Sequence, residues 1–112
     1  MPVPAADVRL VLTTAGSRDE AEQIARSLVD QRLAACVNIV PGLTSIYRWK
    51  GDVEAASEVL LLIKTTAANL DRLESDIRRL HSYEVPEFLV LAPESSAQPW
   101  LDWLLHESTP HK

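Results

Sequence analysis

The reversal Lys50-Gly51-Asp52 is flanked by two long stretches in which apolar and polar residues alternate, and this pair constrains the fold more than any other feature. The incoming arm runs from Ala35 to Val40, is interrupted at Pro41-Gly42, and resumes from Thr44 to Trp49. Alternation with a period of two marks a strand with one buried face, and a glycine-centred reversal between two such runs marks a hairpin. The return arm ends in Val59-Leu60-Leu61-Leu62-Ile63, apolar on both faces, as a central strand covered on two sides must be. An arm of this length stretches on the order of 45 Å at about 3.3 Å per residue. A compact chain of about 100 residues has a radius of gyration of only roughly 13 Å, so the tip projects beyond its own body. An uncovered apolar edge invites strand pairing, and Ile46, Tyr47, Trp49 and Val53 near the tip predict assembly through it.

The remaining segments complete an order of elements. Asp7 to Thr14 alternates and is rich in β-branched residues, which reads as a first strand. Ser17 followed by Glu20 is a capping-box pattern, and Ala21, Ile24, Ala25, Leu28 and Val29 then recur at helical spacing. A second helix carries Leu70, Leu73, Ile77 and Leu80 on one side, with Thr66 or Asn69 expected to cap it. Pro86 stops that region, Phe88 to Leu91 gives a last short strand, and Pro99 suits the first turn of a helix from Trp100 to His106. The order is βαββαβ plus a terminal helix, which predicts an α+β, ferredoxin-like sandwich with the first strand and Val59–Ile63 at its centre. All 112 residues form one domain, with 1–6 and 108–112 expected to fray.

Composition narrows the function. Eleven Lys and Arg against sixteen Asp and Glu leave a net charge of −5, which repels nucleic-acid phosphate. No apolar run approaches the roughly 20 residues that cross a bilayer. The lone Cys36 has no partner within the chain, which fits a reducing, cytoplasmic setting and a buried, inert thiol. No nucleotide-binding glycine motif, structural-zinc spacing or nucleophile signature occurs, so the chain reads as non-enzymatic, with no cofactor required.

Four blocks, LAACVNIVPGLTSIYRWKG, EVLLLIKTT, HSYEVPEFLVL and WLDWL, resemble the CutA divalent-cation tolerance family in content and order, and they spread over nearly the whole chain. The resemblance implies a ferredoxin-like subunit, a tight homotrimer built by strand pairing between subunits, and a role in tolerance of copper and other divalent ions. Some members are proposed to bind copper through a cysteine at the end of the first strand and two adjacent histidines ahead of the tyrosine-glutamate pair. The corresponding places here are Thr13 and Leu80-His81, so only His81 matches. Soft copper prefers thiolate, thioether or imidazole, and neither Thr13 nor Leu80 supplies one.

The candidate metal ligands are therefore His81, with Glu84 as the nearest carboxylate, in a weak site between subunits that accepts copper(II) or another divalent cation. Lys64, Tyr83, Trp49 and Trp103 are candidates for a small-ligand pocket or for a subunit interface, since an amine among aromatic walls suits either. Two other functional readings stay open. One is a small-ligand sensor of the kind formed by the trimeric PII signal proteins, and the other is a trimeric scaffold for an unidentified protein partner.

Overall fold

The structure is a computed structural model that describes residues 1–110. Its main sheet is antiparallel and has four strands: β2 (Val8–Ala15), β3 (Cys36–Trp49), β4 (Asp52–Thr66) and β5 (Leu89–Leu91). The strand order β3-β4-β2-β5 puts β4 and β2 in the middle, as the double-faced apolarity of Val59–Ile63 requires. Helix α1 (Arg18–Asp30) joins β2 to β3, and α2 (Leu70–Leu80), entered through a 3-10 turn at Ala67–Asn69, joins β4 to β5. The connectivity within this sheet is the expected βαββαβ. A second sheet was not legible in the sequence: β1 (Val3–Pro4) pairs with β6 (Ser95–Ser96), just ahead of α3 (Gln98–Glu107).

The hairpin is longer than the return arm's apolar run suggested, because β4 stays paired with β3 from Trp49↔Asp52 to Cys36↔Lys64. The molecule measures 45 × 32 × 22 Å with a radius of gyration of 14.8 Å, and the long axis reflects the projecting arm. At its tip Lys50 and Gly51 both have positive φ, of 49° and 90°, the backbone of a type I′ two-residue hairpin turn. At Pro41-Gly42 the register slips, so that Val40↔Leu60 is followed by Leu43↔Glu58, and Gly42 with φ 81° supplies the left-handed residue of this bulge.

Both long helices pack on one face of the sheet. Val11, Ala15, Leu61 and Ile63 from the strands meet Ile24, Leu28, Leu73 and Ile77 from the helices, all essentially sealed from solvent. The opposite face is only partly covered. Val8 lies beneath α3 with Ala5, Ala35, Leu101 and Leu104 in a second, smaller core, while Leu10, Leu12, Leu60 and Leu62 remain half-exposed. Val29, placed by periodicity on the packed side of α1, is 42% exposed, because it lies at the margin of the helix–sheet contact.

Two capping expectations diverge. Ser17 caps α1 by accepting the Glu20 N–H at 3.2 Å, as its pattern predicted. Thr66 and Asn69 make no side-chain cap on the second helix; Asn69 instead donates to Leu33 O at 3.2 Å and Ser108 O at 2.6 Å. A buried amide that joins three segments outweighs a local cap here. The expected fraying of 1–6 gives way at residues 3–5: β1 is paired, Ala5 is buried, and its N–H donates to Glu94 O. Ser108 is likewise buried and its N–H donates to Leu104 O; residues 111–112 lie outside the described part.

The helices are tied to each other by one buried carboxylate. Asp76 on α2 accepts from Ser27 at 3.1 Å and Gln31 at 2.9 Å on the α1 side, and from Arg79 at 2.6 Å. Asp76→Ala leaves these donors without their acceptor, and we expect it to cost on the order of 2 kcal/mol, read as a lower denaturant midpoint at unchanged slope.

Candidate functional site

The residues that the sequence singled out around position 81 converge with others from distant segments at one end of the sheet. Gly16 and Ser17 follow β2, Glu20 stands in the first turn of α1, Glu58 lies on β4, and His81–Tyr83 follow α2. His81 is the C-cap of α2, where its backbone turns extended, and its ring is buried.

Both ring nitrogens of His81 are engaged. Nδ1 accepts the Tyr83 N–H at 3.0 Å, and Nε2 lies 2.6 Å from Thr14 O. A nitrogen that accepts from an amide carries no proton, so the proton sits on Nε2 and is donated to the Thr14 carbonyl. The ring also packs against Tyr83, with centroids 4.6 Å apart at 47°. Next to it, Glu20 accepts the Ser82 N–H at 3.0 Å and the Gly16 N–H at 3.3 Å, so a residue read as half of a capping box also fastens the loop after α2.

Tyr83 reaches across to the sheet, where its hydroxyl donates to Glu58 at 2.7 Å. It passes so close to Gly16 that a Cβ there would meet the Tyr83 oxygen at 3.3 Å. Burial, then the hydrogen bond to Glu58 and that carboxylate's charge, push the Tyr83 hydroxyl well above its ordinary range, so it stays a donor at any physiological pH. Burial alone would raise the Glu58 carboxyl, but hydrogen bonds from Ser45, Tyr83 and Thr14 outweigh it, and the net position is below the usual range. Glu20 is lowered too, where bonds from Ser82 and Gly16 outweigh its desolvation. Glu87 moves the other way, raised by burial and by repulsion from Glu58.

The other sequence candidates do not join this cluster. Glu84 is exposed and lines a separate groove of about 250 Å³ with Glu74, Ile77, Arg78, Val85 and Phe88. Lys64 stands half-buried near the end of β4, opposite Cys36 and Leu10 in the neighbouring strands. Trp49 sits at the hairpin tip under the Lys50 amine, 5.7 Å from the ring centroid, and Trp103 is 45% exposed on α3. Lys64, Tyr83, Trp49 and Trp103 thus form no common pocket within one chain, because the long sheet separates them. Glu20 was legible only as half of a capping box, and Glu58 and Thr14 escaped the sequence reading, since strand pairing brings them to the loop; the polar Glu58 just ahead of an apolar run was the one available signal.

As a metal site this set fits in part. Donation of Nε2–H to a backbone carbonyl fixes the His81 tautomer, as in many metal-ligating histidines, and leaves Nδ1 as the donor atom, shared with the Tyr83 amide. Thr13 Oγ1 is buried without a hydrogen-bond partner, a neutral oxygen in place of a soft ligand. Among the described residues no three His, Cys, Asp or Glu side chains are grouped to hold a metal ion. Nor does His81 have a free nitrogen poised beside a nucleophile, so the cluster offers no general base.

Because the folded Glu58 carboxyl is lowered, its contribution to stability is present above the usual carboxylate range and is lost as pH falls through the lowered position. Tyr83→Phe removes one of the bonds that lower it. We expect the variant to lose less stability than the parent on acidification below about pH 4.5, in urea midpoints measured across pH.

Comparison with known proteins places this geometry. The sequence model of the family described as CutA1 divalent ion tolerance protein matches residues 9–107. The divalent-cation tolerance protein CutA of Thermus thermophilus is 50% identical over 95 residues, covering 85% of this chain and 92% of that protein. The CutA protein of mouse is 43% identical over 91% of this chain, which spans 57% of the mouse protein's length. Among solved structures, CutA from Synechococcus elongatus superposes with a TM-score of 0.92 at 39% identity, covering 97% of this chain and 96% of that one. The Thermus thermophilus structure gives 0.89 at 47% identity, over 91% and 99% of the two chains. The match spans both central strands, both long helices and the His81 loop, and the chain belongs to the CutA1 divalent ion tolerance family.

Proposed function

We propose that this chain serves divalent-cation tolerance as a non-enzymatic, cytoplasmic homotrimer whose subunits pair along their sheet edges and cover each other's open sheet faces. The observation that carries the reading is the half-exposed face of Leu10, Leu12, Leu60 and Leu62, on strands whose other face is sealed. It is continuous with two unpaired edges, β3 and β5, and all three residues of β5 are exposed and apolar. At the tip, Ile46 and Val53 are 74% and 64% exposed on the other side of the arm, an apolar patch that pairing with another copy would cover. An edge with free N–H and C=O groups beside such a surface is completed by another copy of the same strands. In this reading Trp49, Lys64, Tyr83 and Trp103 belong to the interface.

The metal role centres on His81. A divalent ion would be held by Nδ1, in competition with the Tyr83 amide, with Glu84 the carboxylate nearest in sequence. That competition and the lack of a thiolate make the site weak and favour copper(II) over zinc by the usual affinity order.

Size exclusion with light scattering should give about three times 12.4 kDa, and Trp49→Asp should shift the population to smaller species. A wild-type monomer at micromolar concentration would overturn the assembly. In calorimetric titrations, copper(II) should bind more tightly than zinc, His81→Ala should weaken both by at least about tenfold, and Cys36→Ser should change neither. Loss of binding in Cys36→Ser with retention in His81→Ala would reverse the ligand assignment.

A further inference from the structure

The C-terminal helix has its own core and its own fastenings. Leu101 and Leu104 of α3 close on Ala5, Val8 and Ala35, with Val3 and Leu105 at the margin, and this cluster is separate from the one beneath α1 and α2. Two alanines, a valine and two leucines bury little apolar area, so the hydrophobic contribution here is a small fraction of the main core's. Polar ties do the rest. The Arg32 side chain donates to Thr109 O and His106 O, both at 3.1 Å, and pairs with Glu107 at 3.4 Å, at the carbonyl end of α3. Asn69 holds Ser108 O at 2.6 Å.

Two buried hydroxyls of the same region oppose closure. Ser96 Oγ and Ser108 Oγ are buried without hydrogen-bond partners, one in β6 and one at the end of α3, and each hydroxyl would regain its hydrogen bonds in water. Trp100 and Trp103, 41% and 45% exposed in the single subunit, lie on the outer side of α3 and add nothing to the core beneath it.

We infer that α3 and the β1–β6 ribbon form a latch that opens and closes on the back of the sheet as a unit, while the body of α1, α2 and the four-stranded sheet stays folded. Segments with small apolar cores and few anchors open at lower free energy than the elements they rest on. Opening frees the two serine hydroxyls and uncovers Val8 and Ala35, extending the apolar surface that begins at Leu10 along the same strand face. Closure is set by Arg32 and Asn69, so the latch is adjusted from outside the helix it holds.

Native-state hydrogen exchange of the assembled protein, read by mass spectrometry on proteolytic peptides, tests this. Amides of 98–108 and 3–6 should exchange together, at least about tenfold faster than those of 59–65. Arg32→Asn removes the clamp while placing a residue that tolerates positive φ, and should speed exchange of 98–108 by about tenfold with 59–65 no faster. Ser108→Ala deletes a buried unpaired hydroxyl and should slow 98–108 and the paired ribbon together, with 59–65 unchanged. Equal protection of 98–108 and 59–65 in the wild type would overturn the inference. So would an equal acceleration of both segments by Arg32→Asn, since that is what one cooperative unit predicts; the wild-type comparison stands even if a variant fails to fold.

Discussion

A β-strand in the middle of a sheet must dispose of two faces, and β4 is where this chain meets that constraint. Val59, Leu61 and Ile63 go under α1 and α2, and with Val11 and Ala15 they define where the helices sit. Leu60 and Leu62 point to the side that no long helix reaches. Every later feature answers that asymmetry in some way: α3 covers the Val8 end, the hairpin carries the apolar surface outward, and the edges β3 and β5 stay open. The fold of one chain is thus complete on one side and unfinished on the other.

The His81 region illustrates a different economy, in which a loop is held by bonds that each use a group already committed to something else. Glu20 belongs to the start of α1 but secures Ser82; the Thr14 carbonyl belongs to β2 but receives the His81 proton. Tyr83 gives its amide to the imidazole and its hydroxyl to Glu58. The result is a loop whose position is over-determined, with the imidazole oriented from both sides.

Much of the fold was legible because periodicity reports directly on burial. The period-two runs gave the strands, the 3.6-residue recurrence gave α1 and α2, and Ser17 with Glu20 marked the start of α1 to the residue. The β1–β6 ribbon was not legible, since two residues in each strand are too few to show a period. Asn69 misled for a physical reason: an asparagine ahead of a helix is a good cap, but burial gave its amide better acceptors at Leu33 and Ser108. His81 could be singled out from sequence, whereas Glu58 and Thr14 could not, because the contacts that recruit them follow from register across strands far apart in the chain.

The bulge at Pro41-Gly42 bears on how chain length, as opposed to residue identity, can vary in this protein. Before it, Cys36, Asn38 and Val40 share a face with Lys64, Leu62 and Leu60; after it, the odd-numbered Leu43, Ser45, Tyr47 and Trp49 stand opposite Glu58, Ala56, Glu54 and Asp52. One surplus residue therefore changes the parity of the positions that share a face, from even to odd, with Ser45 and Tyr47 on the side of Glu58. Deleting one residue there would remove the bulge and keep Leu43↔Glu58 with the faces of the outer arm as they are, whereas deleting a residue elsewhere in the arm would carry the side chains beyond it to the other side. The bulge is thus the place where the arm can lose a residue without exchanging its faces, and the chain length on either side of it is part of the information that specifies the surface.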